Sequence, residues 1–188
     1  MDVVDDVDLL NLARRGDGDA FTTLFARHQR AIFRYATHMC GRDAADDVVQ
    51  ETFLAVLRQA GRYDSSRGSV VAYLFGIARH SALKRIAHAI DAGGEVDEHW
   101  MDPAAGVGAL LDDLSRAEVV AAVRRAVEAL PTIYREAIVL CELEEMDYAA
   151  AAAILQCPIG TVRSRLHRAK ALLAAKLTEA AVVQEIRS

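Results

Sequence analysis

Gln156-Cys157-Pro158-Ile159-Gly160-Thr161-Val162-Arg163-Ser164-Arg165-Leu166-His167-Arg168-Ala169-Lys170 decides how this chain is read. From Gly160 onward the apolar residues Val162, Leu166, Ala169 and Leu173 recur at helical spacing and form one stripe. Arg163, Ser164, His167 and Arg168 fall on another side as two i, i+4 pairs, and no acidic residue occurs over 160–176. Before the turn, residues 148–155 are alanine-rich and read as a short helix, and Pro158 suits the first turn of the helix that follows. Helix, tight turn and basic helix is the layout of a helix-turn-helix, whose second helix lays its polar side in a major groove. A bundle helix with a solvated basic face has the same spacing, so the segment alone leaves both open.

Working outward, helical periodicity dominates and no stretch alternates as a sustained strand, which predicts an all-α chain. Residues 9–15 begin a helix that stops at Gly16-Asp17-Gly18, with Asp19 as the expected cap of the next, which runs to about Cys40 and ends at Gly41. A third helix is expected over 44–59, opened by Asp43, with Val49, Phe53, Val56 and Leu57 inward and Asp46, Asp47, Gln50 and Glu51 as an acidic and amide patch. A turn-rich loop over 61–69 precedes a helix over 70–89 with Tyr73, Leu74, Ile77, Ala78 and Leu83 apolar. Between Asp91 and Leu114 five Gly or Pro residues and seven carboxylates occur without Lys or Arg, the composition of a linker. Helices resume over 116–130 and, after Pro131, over 132–143, with Ile133, Ala137, Val139 and Leu140 buried. The organisation expected is two small helical domains, 1–90 and 116–188, joined by an acidic linker over 91–115.

Composition narrows the function classes. With 53% hydrophobic and 26% charged residues the chain can build a core, and no apolar run approaches the roughly 20 residues of a membrane span. The acidic start, Met1-Asp2-Val3-Val4-Asp5-Asp6, lacks the order of a signal peptide, so a cytoplasmic location is expected. Cys40, Cys141 and Cys157 are far apart and make no metal-binding spacing, so buried thiols and no metal or cofactor are expected. No GxSxG, P-loop, HExxH or paired-carboxylate signature gathers the histidines and carboxylates into an active site, which argues against an enzyme. A net charge of −5 is unfavourable for a freestanding DNA binder, because basic charge supplies most nonspecific affinity. The imbalance points to a subunit that reads DNA when a partner supplies much of the affinity. A one-component regulator that binds its operator alone is the competing reading.

Both halves then carry motifs of one family. Asp46-Asp47-Val48-Val49-Gln50-Glu51-Thr52-Phe53-Leu54, residues 63–69, and Tyr73-Leu74-Phe75-Gly76-Ile77-Ala78-Arg79-His80 stand in the first half. Leu130-Pro131, Tyr134-Arg135-Glu136-Ala137 and Pro158-Ile159-Gly160-Thr161-Val162-Arg163-Ser164-Arg165 stand in the second. Together they resemble the bacterial extracytoplasmic-function sigma factors of the sigma-70 superfamily over nearly the whole chain. The resemblance implies a transcription initiation factor that binds core RNA polymerase, through the β′ clamp coiled coil and the β flap, and directs it to promoter DNA. It implies polymerase docking by Asp46, Asp47, Gln50, Glu51 and Leu54. It implies capture and melting of the −10 element by Tyr63, Asp64, Ser65, Arg67, Tyr73, Arg79, His80, Lys84 and Arg85. It implies reading of the −35 element by Thr161, Arg163, Ser164, Arg165, His167 and Arg168, with Arg165 and Lys170 nearer to phosphates or water. An anti-sigma factor is the expected inhibitor, and the acidic linker is expected to thread toward the active-site cleft and RNA exit channel. Tyr73 stands where the family has tryptophan, His80 where asparagine is common, and Ala150, Ala151 and Glu145 where glutamate, isoleucine and glycine are usual. Those last changes are expected to loosen the C-terminal domain by about 1–2 kcal/mol.

Overall fold

A computed structural model describes residues 4–59, 62–91 and 116–187. The linker carboxylates from Glu95 to Asp113 lie outside the described residues. All regular structure among the described residues is helical: α1 (Asp6–Arg14), α2 (Gly18–Cys40), α3 (Arg42–Gln59), α4 (Val70–Asp91), α5 (Arg116–Glu128), α6 (Thr132–Ile138), α7 (Tyr148–Leu155) and α8 (Ile159–Arg187). A 3-10 turn at Ser65–Arg67 precedes α4, and a π turn at Val139–Leu143 continues α6.

The breaks follow local chemistry. Asp17, and not the expected Asp19, caps α2, accepting the amides of Asp19 and Ala20 at 3.0 and 2.9 Å. The helix therefore starts two residues earlier, with Gly18 inside it, because an N-cap carboxylate must sit two or three residues ahead of the amides it satisfies. Gly41 ends α2 at φ +86°, a conformation that glycine adopts without steric cost. Asp147 caps α7 by accepting the Ala150 amide at 2.7 Å. Gln156 leaves α7 in the left-handed region at φ 54°, and the Pro158 carbonyl then receives the Thr161 and Val162 amides that open α8. Glu145 also has φ 54°, which explains physically why glycine would suit that place.

In the N-terminal half, α2, α3 and α4 pack on one another and α1 lies against α2. Their core joins Leu24, Ile32, Tyr35 and Met39 of α2 to Val48, Phe53 and Val56 of α3 and Leu74, Phe75 and Ala78 of α4. Phe75 packs edge-on to Tyr35 at 5.5 Å between centroids, as expected for a core aromatic. In the C-terminal half, α5, α6 and α7 all pack against α8. Two residues assigned inward by periodicity face out: Leu57 and Ile133 are 46% exposed. Leu57 follows Phe53 by one turn, but Val56 and the buried Thr52 take the core-facing positions, with the Thr52 hydroxyl donating to the Val48 carbonyl at 2.7 Å. Ile133 lies in the first turn of α6, where the chain enters from Pro131 before the helix reaches the core at Glu136, Ala137 and Ile138.

The halves also touch. α4 packs on α7, and α2 meets α5, α6 and the π turn, so one cluster of buried residues runs from Leu9 to Leu172.

Candidate nucleic-acid and partner interfaces

The basic helix divides as its sequence predicts. On α8, Val162, Leu166 and Ala169 are buried, together with Leu172, while Leu173 is half-buried. Arg163, Ser164, His167 and Arg168 are exposed, and Thr161 and Arg165 are half-buried beside them. The Ser164 hydroxyl donates to the Thr161 carbonyl at 3.0 Å, which fixes its rotamer along the helix. The Arg163 guanidinium lies over the Tyr148 ring at 5.7 Å, a cation–π contact between the two helices of the motif. Lys170 is turned away from this face by an ion pair with Glu142 at 2.9 Å. Four side chains capable of hydrogen bonding thus stand in a row on a helix anchored from behind.

A second surface forms where the 62–69 loop meets α4. The cleft there holds about 320 Å³ and is lined by Arg62, Tyr63, Asp64, Arg67, Tyr73 and Ile77 among others. Tyr63 and Tyr73 meet at a 56° tilt with centroids 5.5 Å apart, and the Tyr63 hydroxyl donates to the Gly68 carbonyl at 3.2 Å. Asp64 works as the cap of the 3-10 turn: its carboxylate accepts the Ser66 amide at 2.9 Å and the Ser66 hydroxyl at 2.7 Å. Those two hydrogen bonds hold the Asp64 carboxyl below its ordinary range. Ser65 and Arg67 are exposed on the same turn. The cleft therefore brings two aromatic rings together with Arg62 and Arg67 in its lining, a combination suited to a flat base and its phosphate.

Farther along α4, His80 and Lys84 are exposed, but the two arginines are engaged. Arg79 donates from Nε and Nη2 to the two carboxylate oxygens of Glu136 at 2.6 and 3.2 Å. Arg85 bridges Asp47 and Glu51 of α3 at 3.2 and 2.6 Å, and Glu51 also accepts from the Ser81 hydroxyl. The Ser81 hydrogen bond, with Arg85 and Lys84 nearby, lowers the Glu51 pKa.

The third surface is one face of α3, where Asp46, Asp47, Gln50, Glu51 and Leu54 are all exposed. Beside it an apolar groove of about 290 Å³ is lined by Phe21, Phe25, Phe53, Leu54 and Leu57. Phe25 and Phe53 pack edge-on at 4.8 Å and form its floor. Sequence spacing gives the polar stripe but not the groove, since periodicity alone puts Leu57 in the core. It also missed Arg62 and Tyr148. The position of Arg62 within the polar loop was the available signal for the first, and the seven-residue-plus-eight span from Tyr148 to Arg163 crosses a turn, which no single-helix periodicity links.

Among the described residues no group of His, Cys, Asp and Glu is placed to hold a metal ion, and no helix is long and apolar enough to cross a membrane. Burial pushes the Cys40 and Cys141 thiols up, which disfavours their reactive thiolates at neutral pH.

Comparison with known proteins identifies the family. Residues 24–89 match the model of Sigma-70 region 2, and residues 121–173 match that of Sigma-70, region 4. The ECF RNA polymerase sigma factor SigC of Mycobacterium tuberculosis is 34% identical over 168 residues, covering 86% of each chain. The ECF RNA polymerase sigma-E factor of Salmonella typhimurium is 32% identical over 172 residues, covering 86% of this chain and 88% of the relative. Among solved structures, CnrH in complex with the cytosolic domain of CnrY superposes with a TM-score of 0.70 at 28% identity, covering 93% of this chain and 97% of CnrH. The sigma factor RpoE in complex with the anti-sigma factor NepR, from Bartonella quintana, gives a TM-score of 0.62 at 25% identity, covering 84% of this chain and 96% of the other.

Proposed function

The chain belongs to the extracytoplasmic-function group of the sigma-70 family, and from that premise we propose how its three surfaces bring a polymerase to a promoter. As a sigma factor it is a non-enzymatic factor of promoter-specific transcription initiation: bond-making lies with the polymerase, which the factor positions.

The α3 face docks core RNA polymerase. Asp46, Asp47, Gln50 and Glu51 meet the β′ clamp coiled coil through polar contacts, while Leu54 and the adjoining Phe21–Phe53–Leu57 groove take its apolar side chains. The β flap engages the C-terminal half, where Val120, Ile133 and Leu143 are exposed apolar residues. The Tyr63–Tyr73 cleft receives a base unstacked from the −10 element. Flipping costs a few kcal/mol, which stacking on the aromatic pair and charge contacts from Arg62 and Arg67 offset. His80, Lys84, Arg79 and Arg85 follow the backbone of the melted strand along α4. Asp64 and Ser65 act by shaping the loop, as the capping hydrogen bonds indicate. On α8, Arg163 and Arg168 read base edges in the −35 element, with Ser164 and His167 between them and Thr161 and Arg165 toward the phosphates. Each bidentate arginine–guanine contact contributes about 1–3 kcal/mol of discrimination. An anti-sigma factor, of the kind that accompanies the Bartonella relative, restrains the chain by covering these surfaces.

The observation that carries this reading is the division of α8, with Val162, Leu166 and Ala169 buried behind an exposed Arg163-Ser164-His167-Arg168 row. A solvated bundle helix would not need that row on the second helix of a helix-turn-helix, in a chain of this family. The test is binding of a labelled −35/−10 promoter fragment with and without core polymerase, followed by runoff transcription. Promoter-dependent initiation only with core enzyme is the expected result. Tight specific binding by the chain alone, with no effect on initiation, would favour an operator-binding regulator instead.

A further inference from the structure

We infer that Tyr148 is a positioning residue for DNA readout: its ring holds the Arg163 guanidinium in place before DNA arrives and so sharpens selection at the base pair that Arg163 meets. The inference rests on the −35 role proposed above for Arg163 and adds to it a residue outside the reading helix.

α7 offers α8 little besides apolar surface. Over Tyr148–Leu155 it holds five alanines, Ile154 and Leu155, so Tyr148 is its one side chain with an aromatic face or a polar group. The cap places that ring: Asp147 accepts the Ala150 amide at 2.7 Å, which fixes the start of α7 with Tyr148 as its first residue. Behind the ring, Ala151, Ile154 and Leu155 of α7 share a buried cluster with Val162 and Leu166 of α8. The backbones that carry ring and guanidinium are thus held by packing and not by the contact between them. The guanidinium carbon lies 5.7 Å from the ring centroid, within the roughly 6 Å over which a ring face attracts a cation.

The neighbouring groups leave this contact uncontested. Lys170 lies two turns beyond Arg163 on the same side of α8, but its ammonium is committed to Glu142 at 2.9 Å. Among the described residues no carboxylate pairs with Arg163. The kind of partner matters here. A carboxylate takes the N–H donors at the edge of a guanidinium, as Glu136 takes those of Arg79. A ring can hold the flat face and leave the edge donors for a base. Arg168, five residues farther on and exposed, has no partner among the described residues. It must give up rotamer freedom when it binds, whereas Arg163 has given up part of that freedom on folding. A base that does not fit must draw Arg163 off the ring or leave its donors unmatched, so a mismatch costs more at that base pair.

The test uses holoenzyme to select from promoter fragments randomised across the −35 element, with the bound sequences counted. Wild type is compared with Tyr148→Phe, Tyr148→Leu, Arg163→Ala and Tyr148→Leu/Arg163→Ala. Tyr148→Leu should lower preference about two- to fivefold at the same base pair whose preference Arg163→Ala abolishes, the ratio that an exposed cation–π contact provides. Tyr148→Phe keeps the ring and should match wild type, and Tyr148→Leu should add nothing once Arg163 is alanine. In the free wild-type chain, the ring should shift the Arg163 δ-proton resonances upfield of those of Arg168, a signature that depends on no variant folding. Unshifted Arg163 resonances overturn the inference. So does a Tyr148→Leu loss spread evenly over all sequences, which marks a phosphate contact or a loosened fold, or a Tyr148→Phe loss equal to that of Tyr148→Leu, which assigns the effect to the hydroxyl. Should Arg163→Ala abolish a base preference that Tyr148→Leu leaves intact, the positioning role alone falls. Should Arg163→Ala change no base preference, the −35 role of Arg163 falls and takes the inference with it.

Discussion

α4 and α8 both present arginines on exposed sides, yet they hold them differently. On α8, Arg163 and Arg168 stand at the surface, and Arg163 is steadied only by the Tyr148 ring. On α4, Arg79 is committed to Glu136 and Arg85 to Asp47 and Glu51. An arginine already paired with a carboxylate must exchange one anion for another, so its net gain on meeting DNA is smaller. Under the proposed roles, the α8 face meets DNA as folded, while the α4 arginines must first exchange partners. Arg85 ties α4 to Asp47 and Glu51 of α3, so under the proposed roles an event on α3 changes the charge available on α4.

Four changes would break or sharpen that contrast. The largest effect is expected from Arg163→Ala and Arg168→Ala, each losing about 1–3 kcal/mol of discrimination at one base pair of the −35 element. Quantitative binding of holoenzyme to promoters mutated base by base would show it. A loss that is uniform across sequences would instead make these side chains phosphate contacts. Next, Asp47→Asn/Glu51→Gln should weaken core-polymerase binding several-fold while freeing Arg85, so that affinity of the isolated chain for single-stranded −10 DNA rises. The fold should tolerate it, since exposed ion pairs contribute about 0–1 kcal/mol each. Binding of core and oligonucleotide moving in the same direction would remove the proposed division of labour.

A smaller effect concerns pH. His38 on α2 faces α5, and its Nδ1 is buried without a hydrogen-bond partner. Burial, then Arg124 and Arg34, push its pKa below the ordinary 6.5, with Glu128 opposing. The packing around His38 therefore favours the neutral imidazole, is strongest above pH 6.5, and weakens as pH falls from there toward the depressed value. Glu144 works the other way, because burial raises its carboxyl against the pull of Arg34. Compaction measured between pH 8 and pH 5.5, about the range in which an imidazole titrates, should thus slope in wild type and change slope in His38→Gln. Identical profiles would place the pH response elsewhere. The smallest change is expected from Tyr148→Ala, which removes an exposed cation–π contact of about 0.5–1 kcal/mol. It should weaken promoter binding only a few-fold, and only when Arg163 is present, as a double-mutant cycle would reveal.

Much of this was legible in the sequence because it is written in local spacing. Helix existence, the linker composition, the polar stripe of α3 and the two-faced character of α8 depend on residues within a few turns of one another. The errors are also local in origin. Leu57 and Ile133 are apolar at plausible positions, but which side of a helix is covered depends on the neighbours that pack there. Asp17 and Asp19 are both good caps, and the choice between them turns on which carboxylate reaches free amides, here those of Asp19 and Ala20.

By itself, then, the sequence determined the all-α architecture, the family and the side chains that each surface offers, because periodicity, capping and motif spacing act over a turn or two of helix. Only the tertiary structure decided which of those side chains are free. Arg79 and Glu136 are 57 residues apart in the chain, and Arg34 and Glu144 are 110 apart. No spacing rule links such pairs: they meet because apolar burial draws α4 onto α7 and α2 onto α6, and the charges carried along must then find partners or remain uncompensated.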